Sequence, residues 1–255
     1  LLINSILTPV LIYIAHHRAW FDEIDHRKIH SGDIPRIGGV GIFVSSLFGA
    51  LAYGFYLSPG IEEIRVFLTG YSPLLISVFL IHIVGLLDDF TNLRARYKLW
   101  MQLVIGLLIV ISGRSFTGIS IPFTDLLFEF SFLGPVITVL WIIGITNAVN
   151  LIDGLDGMSG GITAIVFLFY GLISMDLGNE AGTVVSFLLF GATLAFLFFN
   201  FPPAKLFMGD SGSLFLGMMA ALLPFYSLPT GGILAPGEAI TVSAAEGDGT
   251  LLPLA

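Results

Sequence analysis

The chain has 255 residues, of which 56% are hydrophobic and only 11% charged, with no cysteine and a formal net charge of −8. An ordinary soluble domain carries roughly 25% charged residues, so this composition excludes a water-soluble globule and points to an integral membrane protein. Disulfides, thiolate metal sites and a cysteine nucleophile are excluded with cysteine itself, and no nucleic-acid partner is suggested.

In chain order, apolar segments run over residues 1–15, 39–57, 66–87, 98–113, 130–149, 160–175, 181–199 and 211–228. They predict an all-α, polytopic transmembrane helix bundle of about eight spans. Several are shorter than the ~20 residues that cross ~30 Å of hydrocarbon, so flanking polar residues or local thinning must complete them. Residues 1–228 read as one membrane domain, incomplete at both ends, because the chain opens at Leu1 inside a span. Residues 229–255 are small, polar and acidic and read as a disordered or foreign tail.

The basic residues set the orientation. If the first segment ends in the cytoplasm, Arg18, Arg27, Lys28, Arg36, Arg94, Arg96, Lys98 and Lys205 share that side, and only Arg65 and Arg114 lie outside, a strong positive-inside bias. The same parity places three acidic clusters on the cytoplasmic face. Carboxylates at a membrane boundary are costly unless hydrated, paired or bound to a cation, so each is a functional hypothesis.

The first cluster, Asp88 and Asp89 in "GLLDDF", puts two carboxylates side by side. They either end a helix in water or are held together by a shared proton or a divalent cation. Oxygen ligands without cysteine or a nearby histidine suit Mg²⁺ or Mn²⁺ better than zinc. The second, "NLIDGLDG", spaces Asn150, Asp153 and Asp156 at i, i+3, i+6. On a helix these share one face and could read a nucleobase or sugar, although Asp-Gly is also a common turn. The third, "FMGDSGS", sets Asp210 at the start of an apolar helix. It is an N-cap, a metal ligand or both, and the helix N-terminus suits a phosphate. Arg36 and Lys98 could grip a pyrophosphate, whereas Arg18, Arg94 and Arg96 read as headgroup anchors.

The ordered set "RKIHSGDIPRIGG", "GLLDDF", "NAVNLIDGLDG" and "FNFPPAKLFMGDSGS" closely resembles the polyprenyl-phosphate N-acetylhexosamine-1-phosphate transferases, glycosyltransferase family 4, over nearly the whole chain to about residue 228. The resemblance implies an Mg²⁺-dependent transferase (Mn²⁺ as substitute) in a bacterial plasma membrane. Members move a sugar-1-phosphate from a UDP-sugar to undecaprenyl phosphate at the cytoplasmic face and release UMP. Asp88 and Asp89 look like the family's catalytic pair, and Asp210, with Asp89, like its metal ligands. Asn150, Asp153 and Asp156 look like the nucleotide-side cluster, with Asp156 against uracil, while Asn200, Arg36 and Lys98 match substrate-binding positions. Expected partners are the UDP-sugar, undecaprenyl phosphate, membrane lipids and a second copy of the chain as homodimer.

"PRIGG" and "FMGDSGS" resemble the branch that uses UDP-N-acetylglucosamine, with the UDP-MurNAc-pentapeptide branch as the alternative. The family's later spans and His-rich motif have no counterpart here, since no histidine follows His82; the chain alone is therefore expected to be inactive. A cation-coupled transporter and an inactive membrane scaffold stay open as readings of another class. A transporter would favour acids near mid-membrane and paired repeats.

Overall fold

A computed structural model of the chain describes residues 1–18, 20–21, 34–57, 61–120, 127–227 and 240–244. Each apolar segment is occupied by a helix: α1 (Leu2–Arg18), α2 (Gly38–Leu57), α3 (Ile61–Thr91), α4 (Ala95–Ile111), α5 (Gly134–Ile152), α6 (Met158–Asp176), α7 (Glu180–Asn200) and α8 (Asp210–Leu222), followed by the short α9 (Pro224–Ser227). In hydrocarbon no water serves the backbone, so an apolar segment must satisfy its own N–H and C=O groups, and a helix does so. Helix starts follow ordinary chemistry. Proline stands in the first turn of α5, where its missing N–H costs nothing. Asn179 accepts the N–H of Gly182 at 2.8 Å to cap α7.

Length corrects the expected number of spans. Among the described residues five helical segments are long and apolar enough to cross a membrane: Gly38–Tyr56, Thr69–Thr91, Ser131–Ile152, Met158–Asp176 and Glu180–Asn200. The chain is polytopic, but α1 and α4 have 17 residues and α8 only 13, about 20 Å for α8 at 1.5 Å per residue. Moreover α8 faces no lipid. Every residue from Ser211 to Leu222 is buried, because α2, α3, α5 and α6 surround it. A helix that is apolar all round belongs in a core, and here it forms the axis of the bundle.

The fold is largely but not wholly helical. β1 (Arg114–Ser120) pairs antiparallel with β2 (Leu127–Glu129) on one side and with β3 (Ile240–Ala244) on the other, in the order β2-β1-β3. Five residues of the stretch read as a tail are thus paired. The alternation Ile-Thr-Val-Ser suits a pleated edge, a local signal that an average over 27 mostly small and polar residues hides. This sheet sits between the end of α4 and the start of α5.

Side-chain hydrogen bonds cross the apolar interior where they have no water to compete with. Asn4 of α1 donates to the Ala192 carbonyl of α7 at 2.8 Å. Gln102 of α4 and Asn147 of α5 exchange hydrogen bonds through both amide groups. Successive helices alternate direction, forced by short connections at α3–α4, α5–α6 and α6–α7 and made across a strand pair at α4–α5. The C-terminal ends of α3, α5 and α7 and the N-terminal ends of α2, α4, α6 and α8 consequently share one end of the bundle.

Candidate active site

At that end Asp88 and Asp89 leave α3 about 100° apart, the angle between consecutive helical residues, and so they serve different partners. Asp88 turns toward α4. Its Oδ2 takes the Lys98 ammonium at 2.7 Å, and its Oδ1 accepts the Leu93 N–H in the α3–α4 connection. Asp89 turns inward, its side chain 2% exposed. Its Oδ1 accepts the N–H of Asp210 at 2.7 Å and its Oδ2 that of Ser211 at 3.0 Å. The Arg36 Nε lies 3.8 Å from Oδ1.

Asp210 is the hub. An Arg36 terminal nitrogen approaches its Oδ2 at 3.1 Å, the Lys98 Nζ lies 3.8 Å from its Oδ1, and the Asn150 amide donates to Oδ1 and, at 2.8 Å, to the Ser213 hydroxyl. The Asp88 and Asp210 carboxylates share the Lys98 ammonium, which lies 2.7 Å from the first and 3.8 Å from the second. Gly209 makes this crowding fit: at φ +74° it adopts a backbone that L side chains rarely take, and a Cβ there would stand 2.7 Å from both Asp89 oxygens.

Two expectations are corrected here. The N-terminus of α8 is not free for a phosphate, because the N–H groups of Asp210 and Ser211 go to Asp89 and those of Gly212 and Ser213 to the Gly209 carbonyl, at 3.1 and 3.0 Å. Nor do Asn150, Asp153 and Asp156 share one helical face. The α5 helix stops at Ile152, Asp153 is its C-cap, and Gly157 at φ +74° reverses the chain into α6. Asp156 then reaches across to accept the Ala204 N–H at 3.2 Å. Asn200, 5% exposed, accepts the Gly157 N–H and donates to the Leu206 carbonyl, each at 2.9 Å. Its amide therefore ties the 153–157 turn to the 201–209 loop.

Asp153 is half-buried beneath the hub. Burial, reinforced by the nearby Asp210 carboxylate, pushes it well above the ordinary carboxylate range, and the Arg36 guanidinium only partly opposes this. Among the described residues, Asp88, Asp89 and Asp210 share two cations, Arg36 and Lys98.

Among the described residues no group of three or more His, Asp or Glu is placed to hold a metal ion. The donor set nevertheless fits Mg²⁺, which takes one or two carboxylates from a protein and its remaining oxygens from water and phosphates. Asp88 and Asp210, joined through Lys98, present carboxylates of that kind. Asp89, expected beside Asp210 as a ligand, has both oxygens on fixed α8 amides, whereas Asp88 and Asp210 each keep one oxygen on a side-chain cation, Lys98 or Arg36, that a metal ion could replace.

The Gln102–Asn147 pair escaped the sequence reading, yet it stands one turn from Lys98 on α4 and one turn from Asn150 on α5. Those i+4 and i−3 spacings, with two amides inside apolar helices, were the available signal.

The glycosyl transferase family 4 profile matches residues 71–227. The chain is 38% identical over 228 residues to a probable undecaprenyl-phosphate N-acetylglucosaminyl 1-phosphate transferase of Bacillus subtilis, covering 89% of this chain and 61% of that protein. It is 30% identical to the phospho-N-acetylmuramoyl-pentapeptide-transferase of Staphylococcus carnosus, covering 87% and 71%, and 32% identical to that of Moorella thermoacetica, covering 77% and 67%. The chain thus spans about three fifths of the Bacillus subtilis relative. With the profile matched across the three acidic motifs that meet at Asp210, the chain belongs to glycosyl transferase family 4.

Proposed function

We propose that the chain carries the centre of a membrane transferase that moves N-acetylglucosamine-1-phosphate from its UDP-sugar to undecaprenyl phosphate, releasing UMP. The observation that carries this reading is the convergence of Asp88, Asp210, Arg36, Lys98 and Asn150, from four helices and the segment before α2, on one point at the bundle end. The greater identity to the relative named for N-acetylglucosamine supports the choice of sugar. The membrane is the bacterial plasma membrane, with the site on its cytoplasmic face.

Phosphoryl transfer is mostly positioning and charge neutralisation. Arg36 and Lys98 hold the donor diphosphate by exchanging one carboxylate partner for phosphate oxygens. Asn150 fixes the orientation of Asp210 through two hydrogen bonds. Asp88 receives the lipid phosphate, which is already largely ionised near neutral pH and needs only a weak base. Asp153 and Asp156 line the nucleotide side, and Asn200 holds their turn in place. Asp88 and Asp210 would hold Mg²⁺ or Mn²⁺, which when bound offsets charge on the leaving UMP.

Because the chain alone is expected to be inactive, the decisive assay supplies membranes containing the chain extended by the C-terminal spans of a family relative, with Mg²⁺, undecaprenyl phosphate and either UDP-N-acetylglucosamine or UDP-MurNAc-pentapeptide. UMP release with the first alone is expected. Release only with the second reassigns the sugar, and release with neither sinks the reading. In an active preparation, Asp156→Ala is expected to raise the KM for the UDP-sugar about tenfold with kcat nearly unchanged, because a contact remote from phosphorus binds ground and transition states alike.

Sidedness is checked separately. The chain has no cysteine, so single cysteines at Thr91, Leu155 and Lys205, all exposed, should react with an impermeant maleimide only from the cytoplasmic side. One at Gly178, also exposed, should react only from the other. A split among the first three would break the common-face assignment.

A further inference from the structure

We propose that His82, a residue in none of the acidic clusters, is a positioning residue that sets the depth and rotation of Asp210 by holding the first turn of α8 against α3. Only its kinetic consequence rests on the transferase reading above.

His82 precedes Asp89 by seven residues, two helical turns, so both side chains leave α3 on the same face. Its ring is 6% exposed, and its Nδ1 lies 3.1 Å from the backbone oxygen of Ser211. A carbonyl brings no proton to that bond, so Nδ1 carries it and donates. Asp89 accepts the N–H of the same residue at 3.0 Å. In a helix the N–H points toward the N-terminus and the C=O toward the C-terminus. Ser211 is therefore gripped at both ends, by Asp89 from the site side and by His82 from deeper in the bundle.

Gly85, between the two on that face, lets the helices touch. A Cβ there would stand 2.5 Å from the Asp210 oxygen and 2.6 Å from the Ser211 Cα, so the α8 backbone rests directly on α3. The imidazole is itself locked, stacked on Phe43 of α2 with centroids 3.9 Å apart and planes within 6°, and flanked edge-on by Phe215 of α8 at 6.2 Å. Donor, gap and acceptor follow one another along α3, opposite carbonyl, backbone and amides of α8. Asp210 projects from the turn so held, and its contacts with Arg36, Lys98 and Asn150 inherit that placement.

The test compares the wild-type chain in lipid nanodiscs with His82→Phe, which keeps the ring stack and loses the donor, and His82→Asn, whose amide N–H stands near the place of Nδ1–H. Amide exchange over residues 210–213 is expected to quicken about tenfold in His82→Phe and to stay near wild type in His82→Asn. The ¹⁵N spectrum of wild-type protein, assigned by the signal missing from His82→Asn, should show a neutral ring protonated at Nδ1. With UDP-sugar and lipid phosphate, His82→Phe should lower kcat about tenfold with KM within about twofold, and His82→Asn should recover most of it.

Unchanged exchange in His82→Phe, or a ring protonated at Nε2 alone, overturns the proposal. Kinetic loss in His82→Asn with none in His82→Phe would assign the effect to ring packing and overturn the donor's role. If His82→Phe does not accumulate, the wild-type tautomer decides. A wild-type chain that transfers nothing even when extended by a relative's C-terminal spans defeats the transferase reading, and the exchange and tautomer results still judge the clamp.

Discussion

Asp210→Asn is expected to slow UMP release by about 10³-fold, the upper range for removing one preorganised electrostatic group from an active site. The substitution keeps the shape of the side chain and the backbone N–H that Asp89 accepts, so α8 should stay in place. What changes is charge. Arg36 at 3.1 Å and Lys98 at 3.8 Å lose their common counter-ion, and Asp88 loses the carboxylate with which it shares Lys98 and would share a metal ion. The Asn150 amide can still donate to the remaining side-chain oxygen, which argues against a folding explanation. The check is single-turnover UMP release beside a thermal melt in the same detergent. An unshifted melt with near wild-type turnover would remove Asp210 from the reaction centre.

Asp89→Ala and Asp88→Ala are expected to part company in stability while both lose activity. Removing the Asp89 carboxylate strands two N–H groups at the buried start of α8, at roughly 2–4 kcal/mol for the pair, and deprives Arg36 of a partner 3.8 Å away. Asp88, also buried at 5% exposure, holds Lys98 and the Leu93 N–H of the α3–α4 connection and no backbone group of α8. Its loss should lower the melting temperature less than that of Asp89 and cost about 10²-fold or more in rate. The two variants are to be measured side by side by thermal unfolding in detergent and by UMP release. Equal melting shifts would show that Asp89 does not hold α8, and the division of labour between the two aspartates would fall with it.

That division was not legible in "GLLDDF". Two adjacent aspartates look alike in sequence, and what separates them is the 100° step of the helix combined with a partner 121 residues further on. Asn150, Asp153 and Asp156 show the opposite error. Their spacing fits one helical face, but the turn at Asp153 and Gly157 takes Asp156 to another loop, because nothing in an i+3 pattern marks where a helix stops.

Hydropathy, the positions of the basic residues and the three acidic motifs were enough to place the helices and to bring the acids to one end. Hydrocarbon leaves an apolar segment no backbone partners but its own, and successive apolar segments then cross in alternating directions. Which helix is central was decided by packing alone. Lipid tails and a protein core are equally apolar, so the sequence of α8 is the same whether it faces one or the other, and only its burial on all sides makes it the axis. The roles of Asp89, His82 and Asn200 were likewise decided in three dimensions, since each is defined by a backbone group that side-chain identity does not announce.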